Sequence, residues 1–327
     1  MESKAAGLKQ HIRSLPAYQA LLADLRQGQD LQSLSLMRSL RLPVISLLYE
    51  ELRRPVLYIT DRSDRALNQL EEIRFWLGDS VPYHFPAPSP LFYEKAEWGA
   101  RTRRNRLQVF SQLAEYFSPV RPKHLKPPLM IAPLRAVMTR TFSRRDFLRH
   151  SLKIQQSAQV QPEELRRKMV GIGYDSADSV YEPGTFSQRG GILDIWVPSE
   201  PLPVRLDFFG DEVDTIRQFD PSTQRSQEKL KDIRITPARE ILTVEAVQQG
   251  IEFDQIDELL VPIAHPSVNS LFDFLPKNAL IIMEDENLLR DRTEEVELMA
   301  VKARQEALQA GLLDEDFPIP YLSWNEM

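Results

Sequence analysis

Short apolar, β-forming runs alternate with helix-period segments through the first part of the chain, and this alternation restricts the fold more than any other feature. Residues 55–60 (PVLYIT) read as a strand. Asp61 or Ser63 then caps a helix that carries Leu67, Leu70, Ile73 and Leu77 along one side and stops at Gly78. Residues 81–86 (VPYHFP) read as a second short strand, 102–117 as a second helix and 129–133 (LMIAP) as a third strand. Strands separated by helices imply a parallel sheet with helices packed on its faces. Residues 1–30 read as helical and amphipathic.

The pattern changes after about residue 143. Pro162 opens a helix with Leu165 and Met169 four residues apart, ended by Gly171. Short strands follow at 192–197, 203–209 and 213–219, the last two joined across Gly210-Asp211, a pair suited to a type II′ hairpin turn. Six of the 12 glycines fall between 171 and 210, which implies tight turns and a compact α+β unit. Near residue 235 the first pattern returns: 278–284 (NALIIME) reads as one more buried strand, and 284–309 as a long charged helix. The expected architecture is an α/β domain in two parts, 1–142 and 236–327, interrupted by an inserted α+β domain, 143–235.

Charge and composition narrow the function. The chain has 327 residues, 41 Lys+Arg against 47 Asp+Glu, a net charge of −6 and no cysteine. A protein that coats DNA through general basicity is not indicated, and thiolate metal sites, disulfides and cysteine nucleophiles are excluded. The N-terminal segment lacks the apolar core of a signal peptide, and no apolar run is long enough to span a bilayer, so the expected location is the cytoplasm.

A nucleotide site is the natural thing to seek in such an α/β domain. A phosphate loop needs glycines, so that backbone N–H groups surround phosphate, followed by Lys and Ser/Thr. The segment in the right place, 33–52, contains neither glycine nor lysine, although it holds Arg38 and Arg41. The run LIIMED (280–285) ends in Glu284 and Asp285, the place where a Walker-B strand carries its magnesium-holding acids. Its plainer reading is a strand followed by the acidic first turn of a helix. Two basic clusters, Arg101/Arg103/Arg104/Arg106 and Arg140/Arg144/Arg145/Arg149, read as solvated faces rather than phosphate contacts. The five histidines, at 11, 84, 124, 150 and 265, show no metal-ligand spacing.

The stretch 183–198 (PGTFSQRGGILDIWVP) gives the most specific signal. On a strand, Leu193, Ile195 and Val197 share one wholly apolar face, while Ile192, Asp194 and Trp196 share the other. The following hairpin repeats the division: Val204, Leu206 and Phe208 against Arg205, Asp207 and Phe209. Arginine and aromatic residues together are enriched at binding hot spots. The residues alone leave a second reading open, in which Trp196 and Phe209 form a second core under the 162–170 helix.

Residues 173–198 (GYDSADSVYEPGTFSQRGGILDIWVP), 203–226 (PVRLDFFGDEVDTIRQFDPSTQRS) and 235–240 (ITPARE) resemble the N-terminal module of bacterial transcription-repair coupling factors (Mfd), itself similar to the excision-repair protein UvrB. The likeness extends more weakly through 85–113, 271–286 and 320–327. It implies a helicase-like parallel-sheet domain that has lost its phosphate loop, split by an inserted α+β domain that binds UvrA. It implies a non-catalytic module that needs no cofactor and recruits UvrA, by imitating UvrB, to sites of stalled transcription. The rival from another class is an ATP-dependent DNA enzyme of the UvrB type. Carried over residue by residue, the UvrA-docking surface is Arg189, Arg205 and Phe209, with Trp196 beside them and Asp194 orienting Arg189. Ser187 stands where UvrB often has a second arginine. Glu284 and Asp285 are a degenerate Walker-B pair. Contacts with RNA polymerase and duplex DNA would belong to domains beyond Met327, in a longer protein of which this chain is a fragment or a truncated relative.

Overall fold

The computed structural model describes residues 2–29, 33–117 and 126–327; His124 lies outside them. Two helices, α1 (Glu2–Ser14) and α2 (Pro16–Arg26), pack Ile12, Tyr18, Leu22 and Leu25 against the next helix, α3 (Arg38–Leu52). Then β1 (Val56–Thr60), α4 (Ser63–Leu77), β2 (Tyr83–His84), α5 (Ala100–Tyr116) and β3 (Leu129–Pro133) follow in the expected alternation.

Two details of α4 differ from the sequence expectation. Its N-cap is Arg62, with no side-chain cap bond, in place of Asp61 or Ser63. Ala66, Leu70, Ile73 and Leu77 make the buried stripe, and Leu67, one residue off it, is 42% exposed. Spacings of three and four from Ala66 follow the helix period, and Leu67 does not.

Short helices α6 (Leu134–Met138) and α7 (Arg144–Arg149) lead to β4 (Leu152–Gln155) and α8 (Pro162–Gly171). An antiparallel region follows: β5 (Asp175–Ser176), β6 (Thr185–Arg189), β7 (Ile192–Ile195), β8 (Val204–Phe209), β9 (Glu212–Phe219), β10 (Ser226–Leu230) and β11 (Asp232–Ile235). The chain closes through α9 (Thr243–Gln248), α10 (Val261–Ala264), β12 (Leu280–Met283) and α11 (Glu286–Gln309).

These elements make a mixed α/β structure. The first sheet is all parallel in the order β12-β1-β3-β2, so β12 pairs with β1 although more than 200 residues separate them. The second sheet has the order β10-β9-β8-β7-β6-β5. A separate two-stranded ladder pairs β4 and β11 antiparallel from Leu152↔Ile235 to Gln155↔Asp232, so the segment holding the second sheet begins and ends at adjacent points.

The segment NALIIME is an edge strand, not a buried one. Among the described residues only β1 flanks it, and Ile281 and Met283 are about half exposed while Leu280 and Ile282 face inward. One large apolar cluster runs through both parts. It joins Leu57, Ile59 and Phe110 to Phe147, Ile154 and Ile235, and these to Leu165, Met169, Leu193 and Leu206.

Both basic clusters break up in three dimensions. Arg106 is 0% exposed and Arg140 is buried, with the Arg140 guanidinium donating to the carbonyls of His265, Pro266, Ser267 and Ile319. A run of like charges in sequence does not reveal which member points down a helix into the core.

Candidate functional site: a mixed arginine and aromatic face

Register aligns the candidate residues. Ser187, Asp194, Arg205 and Arg217 lie in one cross-strand row, and Arg189, Ile192, Asp207 and Thr215 in the next. Directly paired residues share a face, so both rows belong to one side of the sheet. Leu193, Leu206 and Ile216 fill the other side, completely buried, and α8 covers it through Leu165 and Met169.

Two turns shape the exposed end of this face. Arg189↔Ile192 flank Gly190-Gly191, and Phe209↔Glu212 flank Gly210-Asp211. Both first glycines have positive φ, +58° at Gly190 and +62° at Gly210, while Gly191 and Asp211 do not, as a type II′ turn requires. Gly191 has its own reason: a Cβ there would come within 2.9 Å of the Phe208 carbonyl oxygen. The two turns lie at the same end of the sheet, with the Phe208 N–H donating to the Gly191 carbonyl at 2.7 Å.

The face divides into two halves. Its inner half is closed on itself. Asp194 accepts two bonds from Arg205, at 2.7 and 2.8 Å, and these raise the pKa of the guanidinium further. Asp207 accepts from Arg217 at 2.5 Å and from the Thr215 hydroxyl. The Arg205 guanidinium lies 4.7 Å from the centre of the Phe219 ring. Phe219, Val180 and Trp196 form a small separate core, in which Trp196 is 9% exposed and donates from Nε1 to the Glu200 carbonyl at 3.1 Å.

The outer half is open. Phe209 is 84% exposed at the hairpin tip, and Ile192 is partly exposed beside it. Arg189 donates to the Asp178 carbonyl and, at 2.6 Å, to the Ser179 hydroxyl; among the described residues it pairs with no carboxylate. A shallow polar groove with Glu163, Arg166, Ser176 and Asp178 on its walls runs past Arg189.

This geometry corrects two expectations, for Trp196 and Asp194, and removes one open alternative, for Phe209. Trp196 is a core residue, because the loop carrying Val180 folds over that end of the face. Phe209 is not in a second core, and α8 lies on the opposite side of the sheet. Asp194 orients Arg205, its cross-strand partner, and not Arg189. Ser187 is buried and donates to the Asp178 carbonyl at 2.9 Å, so together with Arg189 it holds that loop. Sequence reasoning missed Arg217 and Thr215; the period-two pattern of DTIRQF (214–219) was the available signal.

The other candidate pair lies at the end of β12. Glu284 has a side chain only 4% exposed, within 3.1 Å of Arg41 and 3.2 Å of Arg65, and it accepts from Gln69 at 3.1 Å. Tyr58 beside it has its pKa raised, chiefly by its own burial and then by the Glu284 charge. Asp285 is the N-cap of α11, accepting from the Leu288 N–H at 3.1 Å. Among the described residues no cluster of acids and histidines is arranged to hold a metal ion, and no helix is long and apolar enough to cross a membrane.

The segment that builds the mixed face matches a known family over residues 152–241. The matching family is the UvrB interaction domain. Across most of its length the chain is also homologous to transcription-repair coupling factors. It is 28% identical to that of Myxococcus xanthus over 336 residues, covering 87% of this chain and 27% of the relative. It is 25% identical to that of Bacillus subtilis (strain 168), covering 95% of this chain and 29% of the relative. Against Escherichia coli (strain K12) the identity is 34% over 118 residues, 36% of this chain and 10% of the relative. The chain thus spans well under a third of these curated relatives. The match to the UvrB interaction domain begins at β4 and ends just beyond β11, the two strands that pair with each other across its span.

Proposed function

We propose that this chain is a non-catalytic, UvrB-mimicking module that recruits UvrA in transcription-coupled nucleotide excision repair. The observation that carries the proposal is the open end of the mixed face. On a UvrB interaction domain, Arg189 stands without a carboxylate partner close to the protruding Phe209. An arginine fork makes bidentate bonds to carboxylates on a partner, and an exposed phenylalanine offers a large apolar anchor. Arg205 belongs to the same surface, held flat by Asp194, and Trp196 supports it from below.

The parallel-sheet part is, in this reading, a helicase-type domain that no longer binds nucleotide. The support is the closure of its two half-sites on each other. Arg41, from the segment that would hold a phosphate loop, pairs with Glu284 at the Walker-B position. A magnesium-holding carboxylate would have to release both arginines first. RNA polymerase and duplex DNA are proposed partners of other domains of a longer, cytoplasmic protein.

The decisive experiment is UvrA binding by an Arg189→Ala/Phe209→Ala double variant. Truncating anchors of this type costs about 2 kcal/mol or more, roughly thirtyfold in affinity. Both side chains lie at the surface, so the melting temperature should stay near that of the parent. A folded double variant that binds UvrA as the parent does refutes the docking assignment. ATP binding measured by calorimetry on the parent chain would refute the non-catalytic half of the proposal.

A further inference from the structure

Arg106 and Glu240 form the most deeply buried ion pair among the described residues. Nε and Nη2 of Arg106 donate to the two Glu240 oxygens at 2.5 and 2.9 Å, and Nη1 donates to the Pro86 carbonyl at 3.1 Å. The guanidinium carbon lies 4.1 Å from the Phe85 ring centre and 5.0 Å from that of Trp98. Both side chains are essentially inaccessible. Removing two such charges from water costs several kcal/mol each, and a well-packed apolar pair is often as stabilising. A bidentate pair differs from apolar contact in being directional: it fixes an angle as well as a contact.

Its location gives that directionality a use. Arg106 belongs to α5, in the parallel-sheet part. Glu240 lies at the end of the UvrB interaction domain, on the exit segment Thr236 to Glu240. The rest of this segment is bound to the interaction domain itself. The Tyr174 hydroxyl donates to the Thr236 carbonyl at 2.8 Å, and the Ala238 N–H to the Ile172 carbonyl at 2.9 Å. Gly173, at φ +89°, allows Arg239 to approach so closely that a Cβ would sit 3.0 Å from its Cβ. Arg239 also pairs with Asp175 at 3.1 Å. The exit segment is therefore gripped on one side by the interaction domain and on the other by α5.

We propose that Arg106 and Glu240 are positioning residues that set the orientation of the UvrB interaction domain relative to the parallel-sheet part, with the 236–240 segment as the strap between them. The second link, the short β4–β11 ladder, is a two-stranded ribbon, which is weak alone and tolerates wide variation in twist. The continuous apolar core keeps the two parts in contact, and the bidentate pair adds a directional constraint to that contact. A face held at one angle binds without an ordering cost on association. The proposal concerns how the face is presented and does not depend on which partner reads it.

The chain has no cysteine, so two introduced cysteines can carry spin labels cleanly. Glu72 on α4 and Gln227 on β10 are exposed sites on the two parts. Electron–electron distance measurement on the full chain should give one narrow peak. In an Arg106→Met/Glu240→Met background, which removes both charges together, that single narrow peak should be lost while the melting temperature stays close to the parent's. A folded double variant with the parental distance distribution overturns the proposal, and so does a lower melting temperature with the peak unchanged. Should the double variant not fold, Arg106→Lys keeps a charge but loses the fork. It should then broaden the peak, and an unaltered distribution overturns the proposal equally.

Discussion

At the end of β12, Arg41 and Arg65 converge on Glu284, whose side chain is 4% exposed; at the turn end of β6, Arg189 meets only a carbonyl and a hydroxyl, and nearby Phe209 is 84% exposed. Both places combine arginine, acid and aromatic ring, since Tyr58 stands beside the first. In the first, each charge has its partner inside the same chain and the cluster is closed. In the second, the inner pairs Asp194–Arg205 and Asp207–Arg217 are closed in the same way, but the last arginine is left over. Residue type alone does not make a binding surface. Charge is available to a partner where the fold satisfies all members of a cluster but one and leaves that one at the rim.

The comparison can be broken most forcefully at Trp196. If the inner half of the face is core, Trp196→Ala should destabilise the chain by ~3–5 kcal/mol in denaturant unfolding, the cost of emptying a buried aromatic site. Weakened partner binding with stability retained would return Trp196 to the open surface.

Acid should separate the two regions next. His265 belongs to the parallel-sheet part, buried, and burial holds its pKa down at about 4, against an ordinary value of 6.5. Its Nε2 accepts the Leu242 N–H at 3.4 Å, a bond the protonated ring cannot receive. The unfolded chain takes up this proton first, so the neutral ring stabilises the fold above pH 6.5, and this contribution is lost as pH falls toward 4. The loss amounts to roughly 3 kcal/mol. Half-buried His84, its pKa also held down to about 4 by desolvation, adds a loss of the same sign. Glu115, Glu200 and Asp257 are raised by burial and act in the opposite sense, in the carboxylate range. The comparison therefore rests on a pair of chains. His265→Gln should flatten the fall of stability between pH 6.5 and pH 4 relative to the parent, and parallel pH profiles would contradict this.

The smallest effect belongs to Glu284. Glu284→Gln leaves Arg41 and Arg65 without an anion, but both arginines retain partial access to water, so the expected cost is about 1 kcal/mol. Nucleotide affinity should not appear in this variant. If ATP binding did emerge there, the closed cluster would be masking a working site.

Much of the fold was legible because strands and helices declare themselves locally. PVLYIT, LMIAP and LIIM became β1, β3 and β12, and the face division of 192–197 and 204–208 held, since alternation along a strand is set by backbone geometry. The Gly190-Gly191 and Gly210-Asp211 turns were similarly determined, because positive φ singles out glycine. Tertiary structure decided which residues on the mixed face are available. Asp194 found Arg205 through strand register, Trp196 was covered by the loop carrying Val180 and by Phe219 from β9, and β12 proved to be an edge because among the described residues no strand packs outside it. It also decided that Arg106, one of four arginines within six residues, is the one that points inward to Glu240, 134 positions away. Local sequence fixes what a residue can do; burial and long-range partners, which depend on how distant segments meet, fix which of those things it does.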